Sequence, residues 1–346
     1  MSLFLEAAWG KDTKRAPIWM MRQAGRYLPE YRAIKEKHGF WTMCRTPELA
    51  AEITMQPVRR LGVDAAILFQ DIMTPLPPMG IDIEFKPGPV IASPIRLGEQ
   101  VESLVIPDKD ELVPFVAEAI KLIRTESKVP LIGFGGAPLT LATYLIQGSG
   151  SKEYEEFRQF LRYAPEVAHR LLEKLTEVSI RYLTKQIEAG AQAIQLFDSW
   201  AGLHDTRTYG EFARPYNERI FKALEPYQVP RLYIAVGASH LYGEIQKLSC
   251  EVVSVDWRSP LSTIRPVLKG KTLQGNLDPA VLFSPRDIIK QEAQRVLAEG
   301  LGGAHIFNLG HGIMQHTNPD DAQFLIDTVQ AFDRRLFSET RLEVTT

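Results

Sequence analysis

The chain has 346 residues, of which 45% are hydrophobic and 24% are charged, as in ordinary globular proteins. A formal net charge of −2 provides no basic surplus for recruiting nucleic acid or an anionic membrane, so we expect neither as a partner. Two well-separated cysteines argue against a disulfide framework or a thiolate zinc site, and no secretory signal or bilayer-length apolar run is visible. These features predict a cytoplasmic protein in which a few local cations bind any anionic ligand.

Short apolar runs alternate along the chain with longer amphipathic stretches. The runs predicted to be strands are 16–22, 63–69, 129–135, 191–197, 229–236, 250–256, 271–276 and 303–309. Most are continuously apolar and rich in β-branched residues, which is typical of parallel strands buried on both faces. Eight such runs with intervening helices predict an α/β protein with a (β/α)8 barrel, and a doubly wound open sheet is the alternative.

Several helical stretches carry boundary signals. The stretch 47–61 has apolar residues on one face, and the long stretch 155–189 contains Pro165, which should break or kink it near its start. Ser284 and Asn318 each precede a proline, so both are predicted to cap the N-termini of late helices.

One segment does not fit the repeating pattern. Residues 81–97 are rich in Pro and Gly and follow a predicted strand, which suggests a small hairpin-like insertion. No linker divides the chain, so we expect a single domain over 1–346. In (β/α)8 barrels the active site lies where strands end, so the residues that follow each apolar run are the candidates for chemistry.

Two arginines follow the first run. If the chain is helical there, Arg22 and Arg26 share a face, where their charges repel unless an anion lies between them. Planar guanidinium groups suit bidentate binding of carboxylates. In the alternative interpretation, Arg26 pairs with Glu30 and Arg22 faces solvent. The apolar surroundings of the two arginines favour a binding site.

The next candidates are an aspartate and a tyrosine. Asp71 ends the second run and is followed by Ile72 and Met73, which favours a partly buried functional carboxylate over a simple turn cap. Tyr144 follows the third run and could donate its hydroxyl to a ligand, with a core tyrosine as an equal alternative.

Two further strand ends carry polar or aromatic residues. Phe197, Asp198 and Ser199 end the fourth run, and the missing GxSxG motif makes Ser199 a hydrogen-bond donor instead of a nucleophile. His311 lies between two glycines and suits ligand contact, whereas a metal site with His316 is disfavoured because the HExxH pattern is missing. The candidates together predict a pocket for a polyanion, with neither a metal nor a nicotinamide or flavin cofactor.

Six segments resemble the uroporphyrinogen decarboxylase family, and in family order they cover essentially the whole chain. They are 17–32, 67–80, 133–145, 195–202, 272–279 and 308–313. The resemblance implies a single-domain (β/α)8 barrel, usually a homodimer, that needs no cofactor. It also implies decarboxylation of the four acetate groups of uroporphyrinogen to methyl groups, on the route to haem and chlorophyll.

The resemblance further implies roles for individual residues. Those implied to bind substrate are Arg22, Gln23, Ala24, Gly25, Arg26, Asp71, Tyr144, Phe197, Ser199 and His311, and of these Asp71, Tyr144 and Arg22 are implied to be catalytic. The arginines match carboxylate ligands and Asp71 matches the acceptor of the pyrrole N–H groups. The stretch 198–200 departs from many relatives, which have a Glu and a His around the serine.

Two other functions remain as alternatives. A methyltransferase of a related barrel family would need a thiolate–histidine zinc cluster near strand ends. Against it, Cys250 begins a predicted strand and Cys44 lies in an expected polar loop. A non-catalytic porphyrin carrier would need the arginines and aromatic residues but would have no use for Asp71.

Overall fold

In the computed structural model, which describes residues 1–86 and 88–334, helices surround a parallel sheet. The strands are β1 (Ala66–Ile67), β2 (Ile83–Phe85), β3 (Pro89–Ile91), β4 (Leu131–Gly136), β5 (Ala193–Asp198), β6 (Arg231–Ala235), β7 (Val252–Ser254), β8 (Thr272–Leu277) and β9 (His305–Leu309).

The α-helices differ widely in length. They are α1 (Leu3–Ala8), α2 (Pro29–Lys35), α3 (Phe40–Arg45), α4 (Pro47–Leu61), α5 (Gly98–Glu102), α6 (Pro114–Glu126), α7 (Pro138–Gln147), α8 (Glu155–Tyr163), α9 (Pro165–Ala189), α10 (Thr206–Phe212), α11 (Arg214–Leu224), α12 (Tyr242–Ile245), α13 (Leu261–Ile264), α14 (Arg286–Glu299) and α15 (Pro319–Gln330). Short 3₁₀ helices cover Pro77–Met79, Ala201–Leu203, Glu225–Tyr227, Ser239–Leu241 and Pro279–Phe283. No helix in the described ranges is long and apolar enough to cross a membrane.

Seven strands form one parallel sheet in the order β1-β4-β5-β6-β7-β8-β9. Its strands are buried along almost their whole length, which explains their continuously apolar sequences. The barrel-type α/β class predicted from the sequence is thereby confirmed. β1 and β7 are shorter than the apolar runs that predicted them.

The prediction of a regular strand at 16–22 is wrong. This segment makes one isolated parallel bridge, from Ile18 to Phe307 of β9. Phe307 N–H donates to Pro17 O at 2.8 Å, and on the other side Asp64 N–H donates to Ile18 O at 2.8 Å. The segment thus connects β9 to the residues that lead into β1, in the place of an eighth strand. It cannot extend further because the chain turns at Arg22, which has a φ of 63°.

Most of the predicted helix boundaries are confirmed. Helix α4 has the predicted bounds, and the stretch 155–189 is split into α8 and α9 with Pro165 in the first turn of α9. Asn318 caps α15 by accepting from Asp320 N–H. The Ser284 cap is wrong, because the residue after it, Pro285, has an extended backbone and α14 begins only at Arg286.

The predicted insertion contains a hairpin outside the main sheet. In it, β2 and β3 pair antiparallel, with Ile83 opposite Ile91. Phe85 packs against Phe40 and Trp41 of α3, at ring-centroid distances of 4.9 and 5.0 Å. The hairpin therefore covers α3, which also carries Cys44 in a buried position. The expectation of Cys44 in a polar loop is wrong.

Candidate active site

Arg22 lies on a turn that is held to the loop after β9. Met21 N–H donates to Asn308 Oδ1 at 3.0 Å, and Ile313 N–H donates to Met21 O at 2.8 Å. The aliphatic part of the Arg22 side chain packs against Gly312. A Cβ added at Gly312 would lie 2.7 Å from Arg22 Cγ and closer still to Arg22 Cδ. The turn and the missing Cβ together determine where the guanidinium group is presented.

Gln23 is fully buried and braces this turn. Its Oε1 accepts from Met20 N–H at 3.0 Å, and its Nε2 donates to Ala65 O at 3.0 Å, just ahead of the strand that leads to Asp71. The next two residues, Ala24 and Gly25, are half-buried, and a Cβ at Gly25 would lie 2.8 Å from Arg22 O. The side chain of Gln23 is therefore committed to the protein backbone.

Arg26 is exposed, and the structure contradicts both predicted arrangements of it, the helical face shared with Arg22 and the pairing with Glu30. Because Arg22 has a left-handed backbone, Arg22 and Arg26 do not share a helical face. Glu30 forms an ion pair with Arg60 at 3.3 Å, so the alternative pairing of Arg26 with Glu30 is wrong. Neither Arg22 nor Arg26 has an ion-pair partner among residues 1–86 and 88–334.

Asp71 follows β1 and is half-buried. Its Oδ1 accepts from Met73 N–H at 2.9 Å, whereas Oδ2 accepts no hydrogen bond from the described residues. Burial raises the pKa of Asp71 to about 6, opposed by the Met73 N–H and by the charge of Arg22. The carboxylate thus holds its own turn with one oxygen and leaves the other for a ligand.

Tyr144, on α7, faces the same region. Its ring packs edge-on against Tyr154 and Trp200, with centroids at 6.2 and 6.0 Å. Burial raises the pKa of Tyr144, and the nearby Asp71 carboxylate raises it further while Arg22 opposes this. The phenol is therefore a protonated donor close to Asp71.

The end of β5 presents two of its three candidates to the rim. Phe197 packs edge-on against Phe134 at 5.3 Å, and Ser199 is half-buried just after the strand. Asp198 is not a rim residue: it is fully buried and accepts from Thr140 Oγ1 at 2.8 Å and from Asn217 Nδ2 at 2.9 Å. Its carboxylate braces the strand end from inside.

His311 follows β9 and is half-buried. Burial lowers the pKa of His311 to about 4, and the charges of Arg22 and Arg258 contribute to the decrease. The ring of Trp257 lies edge-on to His311 at 6.5 Å, and the Arg258 guanidinium stacks over Trp257 at 4.1 Å. The imidazole is therefore neutral near pH 7. The sequence reasoning missed Arg258, although it follows the predicted strand 250–256 by two residues.

The described residues contain no group of three His, Cys, Asp or Glu side chains placed to hold a metal ion. Both Cys44 and Cys250 are buried, and burial raises the pKa of each thiol. The ligand set required by the zinc-dependent alternative is therefore not formed in this part of the chain.

The candidate site combines a cation, a carboxylate, a phenol and an imidazole. Arg22 lies close enough to shift the pKa values of Asp71, Tyr144 and His311, and Phe197 and Ser199 end a neighbouring part of the same sheet. These features define a barrel protein in which a cation, a carboxylate, a phenol and an imidazole form a candidate site near the C-terminal ends of the strands.

Comparison with known proteins identifies the family. The model of the uroporphyrinogen decarboxylase family (URO-D) matches residues 1–332. The chain is 47% identical over 335 residues to the uroporphyrinogen decarboxylase of Geotalea daltonii, covering 96% of this chain and 99% of that protein. It is 46% identical over 336 residues to that of Trichlorobacter lovleyi, with the same coverage. The chain therefore belongs to the uroporphyrinogen decarboxylase family.

Solved structures share the fold at low sequence identity. A methyltransferase from Methanosarcina mazei superposes with a TM-score of 0.80 at 22% identity, covering 95% of this chain and 98% of that one. A B12-independent methionine synthase from Shewanella sp. W3-18-1 superposes with a TM-score of 0.58 at 11% identity, covering 96% and 97%. At these identities the similarity concerns the fold alone.

Proposed function

We propose that this protein removes the four acetate carboxyl groups of uroporphyrinogen III, giving coproporphyrinogen III and four CO2 in the synthesis of haem and chlorophyll. Membership of the family supports this activity. The observation that carries the mechanism is Asp71, a half-buried carboxylate with one unshared oxygen near the cationic Arg22.

The substrate supplies its own electron sink. Protonation of a pyrrole ring carbon beside an acetate arm creates a cationic ring. The C–CO2 bond then breaks, its electron pair flows into that ring, and CO2 leaves. A proton adds to the exocyclic carbon and the ring proton is lost, so each acetate exchanges CO2 for one proton. Asp71 accepts the pyrrole N–H groups and stabilises the transient cation, an interaction that strengthens where water is excluded.

The residues around Asp71 orient the carboxylate arms. Arg22 has no ion-pair partner among the described residues and can bind a substrate carboxylate. The backbone N–H groups of Ala24, Gly25 and Arg26 also donate to no acceptor in that part of the chain, which suits a carboxylate beside them. The role of Gln23 in this loop is to hold the turn, so ligand contact falls to the main chain around it.

The remaining candidates complete the pocket. Tyr144 donates its phenolic hydrogen, and neutral His311 and Ser199 form hydrogen bonds to the substrate. Phe197 provides an apolar wall. We assign Asp71, Tyr144 and Arg22 to catalysis because they match the positions that the family resemblance implies to be catalytic. The charges of Asp71 and Arg22 also act on the pKa of Tyr144.

The direct test is incubation with freshly reduced uroporphyrinogen without oxygen, followed by oxidation and a count of carboxylates in the products. Stepwise loss from eight to four carboxylates is expected. Tight binding of the porphyrin without any loss would instead support the carrier alternative.

The activity should fall in acid. Because Asp71 stabilises the cation only when ionised, and its pKa is raised to about 6, kcat/KM should decrease as the pH falls through about 6. His311 adds no second decrease there, since its pKa is lowered to about 4. A pH profile from 5 to 9, compared with that of Asp71→Asn, measures this. The acid limb should be missing from the residual activity of the variant.

Gly312→Ala should displace the side chain of Arg22. The new Cβ would overlap the aliphatic part of the Arg22 side chain, which is flexible and can move away. The free energy of unfolding should therefore change by less than about 1 kcal/mol. The misplaced guanidinium should lower kcat/KM by about 10- to 100-fold. Steady-state kinetics and thermal unfolding check both effects. Gly243→Ala is the control, because its Cβ would meet no atom of the described residues within 4 Å. Equal losses of kcat/KM in the two variants would contradict the role given to the Arg22 side chain.

We also propose that the protein acts as a homodimer in the cytoplasm. The resemblance to the family supports the dimer. The net charge of −2 provides no basic surplus for binding nucleic acid or an anionic membrane. Light scattering coupled to gel filtration tests the dimer, and a monomer at working concentration would contradict it.

A further inference from the structure

A positively charged cleft lies next to the candidate site around Asp71 and shares Arg26 with the residues implied to bind substrate. A cleft of about 500 Å³ opens beside the Arg22 turn and is lined by Arg26, Arg32, Lys35, Glu36, Gln315 and His316. One wall belongs to α2 and the loop before it, and the other to the loop after β9. Both loops also carry candidate site residues, Arg26 before α2 and His311 after β9, so the cleft adjoins the candidate site along the chain.

The cleft carries an excess of positive charge. Three fixed cations and one carboxylate line it. Arg26 and Lys35 have no ion-pair partner among residues 1–86 and 88–334, and Arg32 donates to the carbonyl oxygens of Arg26 and Tyr27, both at 3.0 Å. The acid nearest in sequence to Arg26, Glu30, is paired with Arg60 instead.

The geometry points to a second carboxylate-binding site here, which captures the arms of a polycarboxylate that the pocket around Asp71 does not hold. This inference rests on the proposed function for the identity of that ligand. The cations of the cleft lie at separate positions along one wall, with Arg26 in the loop before α2 and Arg32 and Lys35 on α2. This spacing suits several carboxylates on one scaffold better than a single phosphate. Arg26 links the cleft to the unbonded N–H groups of the Arg22 turn, so arms bound in the two places can belong to one molecule.

Lys35 offers the cleanest test because, within residues 1–86 and 88–334, its ammonium group has no partner whose loss would disturb the fold. The probes are uroporphyrin and coproporphyrin, the oxidised compounds with eight and four carboxylates, titrated by absorbance at low ionic strength. Lys35→Glu should weaken uroporphyrin binding by about tenfold and coproporphyrin binding by about threefold. Added salt should reduce the difference between wild type and variant.

Lys37→Glu is the matched control. Lys37 is exposed and lies two residues further along, but it does not line the cleft, and the charge change is identical. Wild-type affinity in this control supports a local site. Equal weakening of uroporphyrin binding in the two variants, or no weakening in Lys35→Glu, overturns the inference. Competition by inorganic phosphate as strong as that by the porphyrin also overturns it, because the cleft would then bind simple anions and not specifically polycarboxylates.

The same samples separate this inference from the proposed function. Wild-type protein that binds uroporphyrin through Lys35 but releases no CO2 from uroporphyrinogen refutes the decarboxylase activity and leaves the cleft as a polycarboxylate site. Wild-type protein that is active, with binding independent of Lys35, refutes the cleft alone.

Discussion

The Asp71→Asn protein should lose about 10²- to 10³-fold in kcat for uroporphyrinogen while it still folds and binds uroporphyrin. The amide keeps the shape of the carboxylate, and its oxygen can still accept from Met73 N–H, so the turn is preserved. The substitution removes the negative charge that stabilises the cationic pyrrole. Single-turnover kinetics measure the chemical step, and absorbance titration measures binding. Turnover at the wild-type rate would refute the mechanism.

Stability provides an independent readout for the same variant. The folded-state pKa of Asp71 is raised above its usual value, so the native state binds more protons than the unfolded state between about pH 4 and pH 6. The stability associated with this group is present below about pH 4 and is lost as the pH rises through about 6. Asn does not titrate, so Asp71→Asn should gain stability relative to wild type over that interval.

Asp198→Asn serves as the contrasting variant. Asp198 accepts from Thr140, Asn217 and Tyr233 in a buried network, and an amide would place N–H groups against donors. We expect a loss of unfolding free energy of about 1–3 kcal/mol, with activity lost only as the protein unfolds. Chemical denaturation of both variants should therefore separate the catalytic aspartate from the structural one.

The features that were predicted correctly depend on local signals. Apolar periodicity predicts the bounds of α4, and the missing N–H of Pro165 predicts the break before α9. The Pro and Gly residues of 81–97 predict the hairpin. Most of the parallel strands were visible because burial on both faces leaves a continuous apolar run. The prediction of Ser284 as a cap was wrong because the backbone of Pro285 is extended, so α14 begins one residue later than expected.

The errors at the site arise from tertiary contacts. The turn at Arg22 is held by Asn308 and Ile313, almost three hundred residues away, and no local pattern predicts a left-handed arginine. The orientation of Asp198 could have been inferred, since neighbours in a strand face opposite sides and Phe197 was already placed at the rim. Arg258 was within reach of the same rule, since it follows the predicted strand 250–256 by two residues, but the search stopped at the residues directly after each run.

Arg22→Gly should separate catalysis from backbone strain. Arg22 has a φ of 63°, where a residue with a Cβ is disfavoured by about 1–2 kcal/mol. Glycine adopts this conformation readily, although its greater freedom in the unfolded chain offsets part of the gain. Arg22→Ala retains the strain and removes the same guanidinium group. We therefore expect Arg22→Gly to exceed Arg22→Ala in unfolding free energy by about 0.5–1 kcal/mol.

Both variants should lose about 10²-fold or more in kcat/KM, because the cation near Asp71, Tyr144 and His311 is removed in each. Chemical denaturation measures the stability difference, and steady-state kinetics measure the loss of activity. If Arg22→Gly were no more stable than Arg22→Ala, the left-handed turn would not be a source of strain. If either variant kept wild-type activity, Arg22 would not orient the substrate. A more stable but inactive Arg22→Gly protein would show that the strained turn is maintained to present the guanidinium group to the ligand.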